Sequence, residues 1–279
     1  IYQTTAYVFE DADQAAALFG LQAFGNIYTR LTNPTTAVLE ERVATLEGGT
    51  AAVATASGHA AQHLIFHTIM GPGDEFVASR KLYGGSINQF NHAFKNYGWT
   101  VKWADPDDLS TFEAAIGPKT KAVFIESLAN PGGVVTDIEA IAKIAHAHGV
   151  PLIVDNTFAT PVLCRPFEFG ADIVIHSTTK YMDGHAAQVG GAIVDSGNFD
   201  WMKHAAKFPG LTEPDPSYHG LAYAKAFGKL AYITKITAQL MRDYGSIPSP
   251  FNCFLLNLGL ESLHLRIRRH AESALAVAK

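Results

Sequence analysis

The chain has 279 residues, 48% of them hydrophobic and 17% charged, with a formal net charge of −5. That apolar fraction supports a packed core and excludes a disordered chain, while 24 Gly and 13 Pro exclude collagen-like or low-complexity sequence. A mildly acidic chain without a basic run is ill suited to nucleic acid or a membrane surface. Two cysteines, Cys164 and Cys253, cannot make a disulfide framework and fit a reducing, cytoplasmic setting. The length suggests one large or two ordinary domains. No basic segment leads into an apolar one at the start, so no signal peptide is expected. The opening at Ile1 without Met and the helical pattern running to Lys279 read as a piece of a longer protein.

The first thirty-odd residues are polar-aromatic and irregular, and Asn33-Pro34 marks a break. Val38, Leu39, Val43 and Leu46 then space a helix over Thr35–Glu47, ended by Gly48-Gly49. From Gly48 to Gly73 there is no Asp, Glu, Lys or Arg, yet Ser57, His59, Gln62, His63 and His67 interrupt the apolar residues. A membrane span needs about 20 predominantly apolar residues, so a buried turn and helix is expected instead. Strands are expected at Ala51–Ala56, Glu75–Ser79, Thr100–Trp103, Ala122–Glu126, Leu152–Asp155, Ile173–His176 and Gly191–Val194. Helices are expected near Gly84–Tyr97, Asp107–Ile116, Ile138–His148 and Phe199–His204. Val- and Ile-rich strands apolar on both faces, alternating with helices, predict a covered, mostly parallel sheet in an α/β fold. After Val194 helical patterns run through His219–Arg242 and Glu261–Lys279, parted by Ile247-Pro248-Ser249-Pro250, which suggests the start of a second module.

In such sheets ligands bind beyond the carboxyl ends of the strands. The first strand ends in Ser57-Gly58-His59 and opens a helix, and a helix N-terminus at a small, glycine-bearing turn suits a phosphate. Neither a G-x-G-x-x-G nor a Walker loop is present. Leu152–Asp155 leads an apolar strand to a carboxylate, which is costly without a partner, although an Asp capping the next turn explains it equally well. Ile173–His176 runs into Ser177-Thr178-Thr179-Lys180-Tyr181. A Lys directly after a buried strand is expected to be desolvated, with a lowered pKa and the character of a Schiff-base nucleophile, rather than a snorkelling surface residue. A phosphate turn, an acidic strand end and such a Lys together suit pyridoxal phosphate, which has a phosphate, a pyridine nitrogen and an aldehyde.

The segments Gly25-Asn26-Ile27-Tyr28-Thr29-Arg30, Ser57-Gly58, Asn130-Pro131-Gly132, Asp155-Asn156-Thr157 and His176-Ser177-Thr178-Thr179-Lys180-Tyr181 carry a resemblance over the whole chain. It resembles the fold-type-I, pyridoxal-phosphate-dependent enzymes of cysteine and methionine metabolism. The stretch from Phe208 to His219 looks like the O-acetylhomoserine sulfhydrylase branch more than the lyase branches. The resemblance implies a PLP-dependent transferase fold of type I with a mostly parallel seven-stranded sheet and helices on both faces. It also implies an N-terminal arm over residues 1–35, a cofactor domain over 36–245, and the beginning of a smaller C-terminal domain over 246–279. The rest of that domain, which supplies the arginine for the substrate carboxylate in the family, is expected to lie beyond Lys279, and no residue of this chain is assigned that role.

The resemblance makes Lys180 the Schiff-base lysine and Asp155 the partner of the pyridinium nitrogen. Ser57, Gly58, His59, Ser177 and Thr179 would contact the phosphate, Tyr83 would stack on the cofactor ring, and Asn130 would lie near its phenolic oxygen. Tyr28 and Arg30 match the pair that reaches the phosphate of a neighbouring subunit, which implies a homodimer at least and, in this family, usually a tetramer. The implied reaction is γ-replacement, O-acetyl-L-homoserine plus sulfide giving L-homocysteine and acetate, with Lys180 and Tyr83 as catalytic groups. A methionine γ-lyase or a cystathionine γ-synthase or lyase would share every cofactor residue. Relatives commonly have Met or Gln where His59 stands, and a more glycine-rich segment where Met182-Asp183-Gly184-His185-Ala186 stands.

His59, His63 and His67 share one helical face at zinc-compatible spacing, but no Cys or acidic cluster accompanies them, so no metal is expected. His146 and His148 suit a helix end. Cys164 and Cys253 lack a basic context and read as small hydrophobes. Tyr2, Phe9, Phe19 and Phe24 read as part of an arm packed on a partner subunit.

Overall fold

The computed structural model describes all residues from Ile1 to Lys279. Seven strands, β1 (Ala51–Thr55), β2 (Glu75–Ser79), β3 (Thr100–Ala104), β4 (Thr120–Glu126), β5 (Leu152–Asp155), β6 (Ile173–His176) and β7 (Gly191–Asp195), form one sheet. Their order is β1-β7-β6-β5-β4-β2-β3. β2 to β6 pair in parallel, and β7 alone runs against both of its neighbours. Alternation along each strand feeds two cores. Phe76, Phe124, Ile153, Ile175 and Ile193 face one core, while Val77, Val123, Val154, Val174 and Val194 face the other. The seven-stranded, mostly parallel sheet covered on both faces is as expected.

The helices of eight residues or more start where a side chain supplies a cap. α1 (Ala12–Phe19) begins at Asp11, whose carboxylate accepts from the Gln14 N–H at 2.7 Å. α2 (Pro34–Glu47) begins at Asn33, whose Oδ1 accepts from Thr35 and Thr36, and ends at Gly48 in the left-handed region. α3 (Gly58–Ile69) is capped by the Ser57 hydroxyl on the Ala60 N–H. α4 (Gly84–Asn88) continues through a wider and then a tighter turn to Tyr97, while α5 (Ser110–Ala115) and α6 (Ile138–Ala147) are separate. α6 buries Ile138, Ile141, Ala142 and Ala145, one face at helical spacing. α3 packs with the first core; α2, α6 and the C-terminal helix Pro250–Ala278 pack with the second.

Four elements differ from expectation. α1 lies in the segment read as irregular; it is Ala-rich and buries Leu18 alone, so it has almost no apolar stripe to read. Phe199–His204 forms turns rather than a helix, because Phe199 and Trp201 are both drawn into an aromatic cluster with Phe208. The helical run expected over His219–Arg242 is broken: His219 has φ 54°, a helix starts at Tyr223, and Gly228 at φ 52° interrupts it. The last helix starts at Pro250 rather than Glu261, since Ser249 caps it and Pro250 occupies its first turn, where no N–H is needed. Its first half belongs to the second core through Cys253, Leu256, Leu260, Leu263 and Ile267. No helix is long and apolar enough to cross a membrane.

Candidate active site

A cavity of about 700 Å³ opens at the carboxyl ends of the strands. Nine of the eleven expected site residues line it: Ser57, Gly58 and His59 after β1, Tyr83 after β2, Asn130 after β4, Asp155 at the end of β5, and Ser177, Thr179 and Lys180 after β6. Tyr28 and Arg30 do not. They line a second, mostly apolar cavity formed by the N-terminal segment and residues 217–242, where the Arg30 guanidinium lies 5.3 Å from the centre of the Tyr28 ring.

The α3 N-terminus is shaped by close contact. A Cβ on Gly58 would stand 2.8 Å from the Ser177 Cβ, so only glycine lets β6 and α3 approach here. The Ser57 hydroxyl takes the Ala60 N–H, which leaves the first-turn N–H groups of Gly58 and His59 without an intrahelical acceptor. The Ser177 N–H donates to Thr157 Oγ1 at 2.8 Å, and its hydroxyl makes no hydrogen bond within the chain. Thr179 differs from expectation: its hydroxyl donates to the Gly190 carbonyl and accepts the Gly190 N–H, both at 3.1 Å, so it is engaged with the backbone.

Asp155 Oδ1 accepts from the Thr157 N–H at 2.9 Å and from the Thr157 hydroxyl at 2.5 Å. It thus caps the following turn, as its alternative reading has it, while Oδ2 makes no hydrogen bond and faces the cavity. Burial pushes its carboxyl up, with the Thr157 hydrogen bonds, His176 and His59 pulling the other way. Lys180 corrects the expectation of a desolvated amine: the residue is exposed in the open cleft, because the turn after Ser177 carries it away from the end of β6. No acidic group pairs with its amine. Tyr83 is 48% exposed, and its ring meets the His59 ring edge-on at 5.9 Å between centres. The Asn130 side chain is free of hydrogen bonds to the chain and borders the cavity.

Several lining residues escaped the sequence reading. Glu126 ends β4 as Asp155 ends β5, a signal that reading every strand end would have found. Gln62, one helical turn beyond Gly58, donates to the Ser86 hydroxyl at 2.7 Å, and its Oε1 is buried without a partner. Arg266 and His270 reach the cavity from the C-terminal helix. Arg266 donates to Tyr181 O, Gly259 O and Ser262 Oγ, so it ties that helix to the Lys180 turn. His63 and His67 stay out of the cavity, stacked 5.4 Å apart, with His67 Nε2 3.0 Å from the Tyr244 hydroxyl. Burial pushes both cysteine thiols up to about 11, which fits their reading as inert small residues.

The family model described as Cys/Met metabolism PLP-dependent enzyme matches residues 1–279. A sulfhydrylase of Gibberella moniliformis is 51% identical over the whole chain, which covers 65% of that relative. An O-acetyl-L-homoserine sulfhydrylase of Leptospira meyeri is 50% identical, with all of this chain and 64% of the relative aligned. The chain therefore spans about two thirds of the length of these relatives, slightly less in each case. A crystal structure described as an O-acetylhomoserine (thiol)-lyase of Campylobacter jejuni, carrying N'-pyridoxyl-lysine-5'-monophosphate, superposes with a TM-score of 0.97 at 42% identity. All of this chain and 69% of that one are covered.

Proposed function

Because the chain belongs to the Cys/Met metabolism PLP-dependent enzymes, we propose that it serves γ-replacement: O-acetyl-L-homoserine plus sulfide giving L-homocysteine and acetate. The observation that carries this reading is the convergence of an amine, a carboxylate with one open oxygen and a helix N-terminus on one cavity. The substrate in the name of a half-identical relative, an O-acetyl-L-homoserine sulfhydrylase, supports this reaction over the lyase one.

The residues fit the cofactor, since free N–H groups and the Ser177 hydroxyl stand where a phosphate would need donors. When bound, pyridoxal phosphate supplies a carbon that captures an amine and a ring that withdraws electrons from the substrate Cα. Lys180 Nζ would hold it covalently and then carry the Cα proton. Asp155, with Oδ1 fixed by Thr157, would offer Oδ2 to the pyridine nitrogen and keep it protonated. Gly58, His59 and Ser177 would take the phosphate, with Ser57 and Thr179 shaping the turn around it. The Asn130 amide would meet the phenolic oxygen, and the Tyr83 phenol would move a proton near the substrate Cγ. Tyr28 and Arg30 would reach the phosphate of a neighbouring subunit, so the working unit is a homodimer or a dimer of dimers, which we place in the cytoplasm. Residues 1–35, 36–245 and 246–279 then serve as arm, cofactor domain and lead into a substrate domain.

The test is product analysis of the full-length holoenzyme given O-acetyl-L-homoserine with sulfide, and separately methionine or cystathionine alone. Homocysteine and acetate in equal amounts are expected. Release of 2-oxobutyrate from methionine or cystathionine as the dominant activity would instead support the lyase reading. Absence of borohydride-sensitive visible absorbance would overturn the cofactor assignment.

A further inference from the structure

Glu126 lies beside Asp155, the two paired across β4 and β5 at the edge of the cavity. It is 5% exposed, and neither carboxylate oxygen is idle. Oε1 accepts the Tyr83 N–H at 2.7 Å, and Oε2 accepts the Asn130 N–H at 2.9 Å. One side chain on a sheet strand therefore holds two separate segments, each bearing a residue that faces the ligand space. We propose that Glu126 is a positioning residue whose carboxylate clamps Tyr83 and Asn130 in place, and that a cation seated on Asp155 tightens the clamp. The second clause rests on the cofactor reading above, in which that cation is a protonated pyridine nitrogen.

The physical basis is the double acceptor role. An ionised carboxylate accepts strongly at both oxygens, whereas a protonated carboxyl carries a donor on one of them, and that oxygen keeps only a weak acceptor for its N–H. Burial, and then the charge of Asp155 alongside, push the Glu126 carboxyl up to about 7, while the Tyr83 and Asn130 amides pull it down. Asp155 is the one charged side chain acting on it. The other titratable groups on the cavity are His59, Tyr83, Lys180, Tyr181, Arg266 and His270. A cation on Asp155 offsets the repulsion and favours the ionised, clamping form.

Hydrogen exchange at the Tyr83 and Asn130 amides of the full-length protein, at pH 6 and pH 8 and with and without pyridoxal phosphate, reads the clamp directly. After correction for intrinsic exchange, protection at both amides is expected to be higher at pH 8, and pyridoxal phosphate is expected to restore it at pH 6. Glu126→Gln, which can accept at one oxygen only, is expected to lower protection at pH 8 roughly ten- to a hundredfold. It is also expected to abolish an acid limb of kcat near pH 7 that Tyr83→Phe retains. Equal protection of the wild-type amides at both pH values overturns the proposal whether or not the variant folds. So does a Glu126→Gln enzyme with wild-type kcat and the same acid limb. Failure of the wild-type protein to bind pyridoxal phosphate would overturn the cofactor reading and the tightening with it, while pH-dependent protection without cofactor would still uphold the clamp.

Discussion

Asp155 and Asp195 each close an apolar strand of the same sheet, yet they stand at opposite ends of it. β5 runs with β6 and brings Asp155 level with Ile175, whereas β7 runs against β6 and brings Asp195 level with Ile173. Asp195 is 1% exposed; its Oδ1 accepts the Gly197 N–H at 2.9 Å and its Oδ2 has no partner. Burial pushes its carboxyl up to about 7, and burial raises Asp155 as well. A desolvated carboxylate at a strand end is thus not a site by itself. What sets Asp155 apart is an oxygen open to a cavity that an amine and a helix N-terminus share, and the reversal of a single strand decides which aspartate has that company.

The largest test of this contrast removes the amine. Lys180→Ala is expected to lower turnover roughly 10²–10⁴-fold or more and to abolish borohydride-reducible cofactor, with thermal unfolding of the cofactor-free protein unchanged. Activity within tenfold of wild type would deny the cavity its role. The two aspartates should then differ in what they do to cofactor binding and turnover. Asp195 has a folded pKa above its unfolded value, so the unfolded state binds fewer protons between about pH 4 and 7 and stability falls as pH rises across that window. Asp195→Asn should remove that loss, stabilising the protein at pH 8 by up to about 4 kcal/mol, with no gain below pH 4 and no change in kcat. Urea unfolding at the two pH values reads it, and a destabilised variant at pH 8 would mean that Oδ2 has a use the geometry hides. Burial raises Asp155 too, so Asp155→Asn should share the direction of that gain in the cofactor-free protein, but unlike Asp195→Asn it should weaken cofactor binding by about 1.5–3 kcal/mol, since it loses a charged hydrogen-bond partner. If instead Asp195→Asn impairs turnover and Asp155→Asn does not, the contrast is reversed.

The sheet was readable because its strands are short, mostly apolar runs, Val- and Ile-rich from β4 to β7, where both faces proved buried. Ser57, Asp155 and Lys180 were readable because they follow such runs directly, and the rest of the site came through family resemblance. Exposure was not readable. Lys180 follows a wholly buried strand, but its turn is tied back by Gly184 N–H to Lys180 O, and that bond between backbone groups leaves no mark in residue type. Glu126 looked like any strand-terminal carboxylate because its partners, the amides of Tyr83 and Asn130, are backbone groups as well. Thr179 kept its place on the cavity, but Gly190 claimed its hydroxyl, a contact that depends on where β7 begins.

The smallest expected effect concerns the two residues that stand apart. Arg30 is exposed beside Tyr28 and has no ion-pair partner in its own chain, while the cavity that holds the other nine site residues lacks it. If its guanidinium serves a phosphate across a subunit boundary, Arg30→Ala should weaken cofactor binding by about 1.5 kcal/mol, the low end for a hydrogen bond to a charged group, because Arg30 is exposed and is one contact among several. Geometry then makes a stronger demand than magnitude. In a mixture, Lys180→Ala chains carry an intact Arg30 and Arg30→Ala chains carry an intact Lys180. Hybrid oligomers reassembled from the two should contain sites with both residues, and at limiting pyridoxal phosphate they should bind it more tightly than Arg30→Ala alone. An affinity equal to that of the separate variants would place Arg30 outside the site altogether and leave the second cavity as packing surface, because an arginine acting within its own chain would have to cross to a cavity from which the fold separates it.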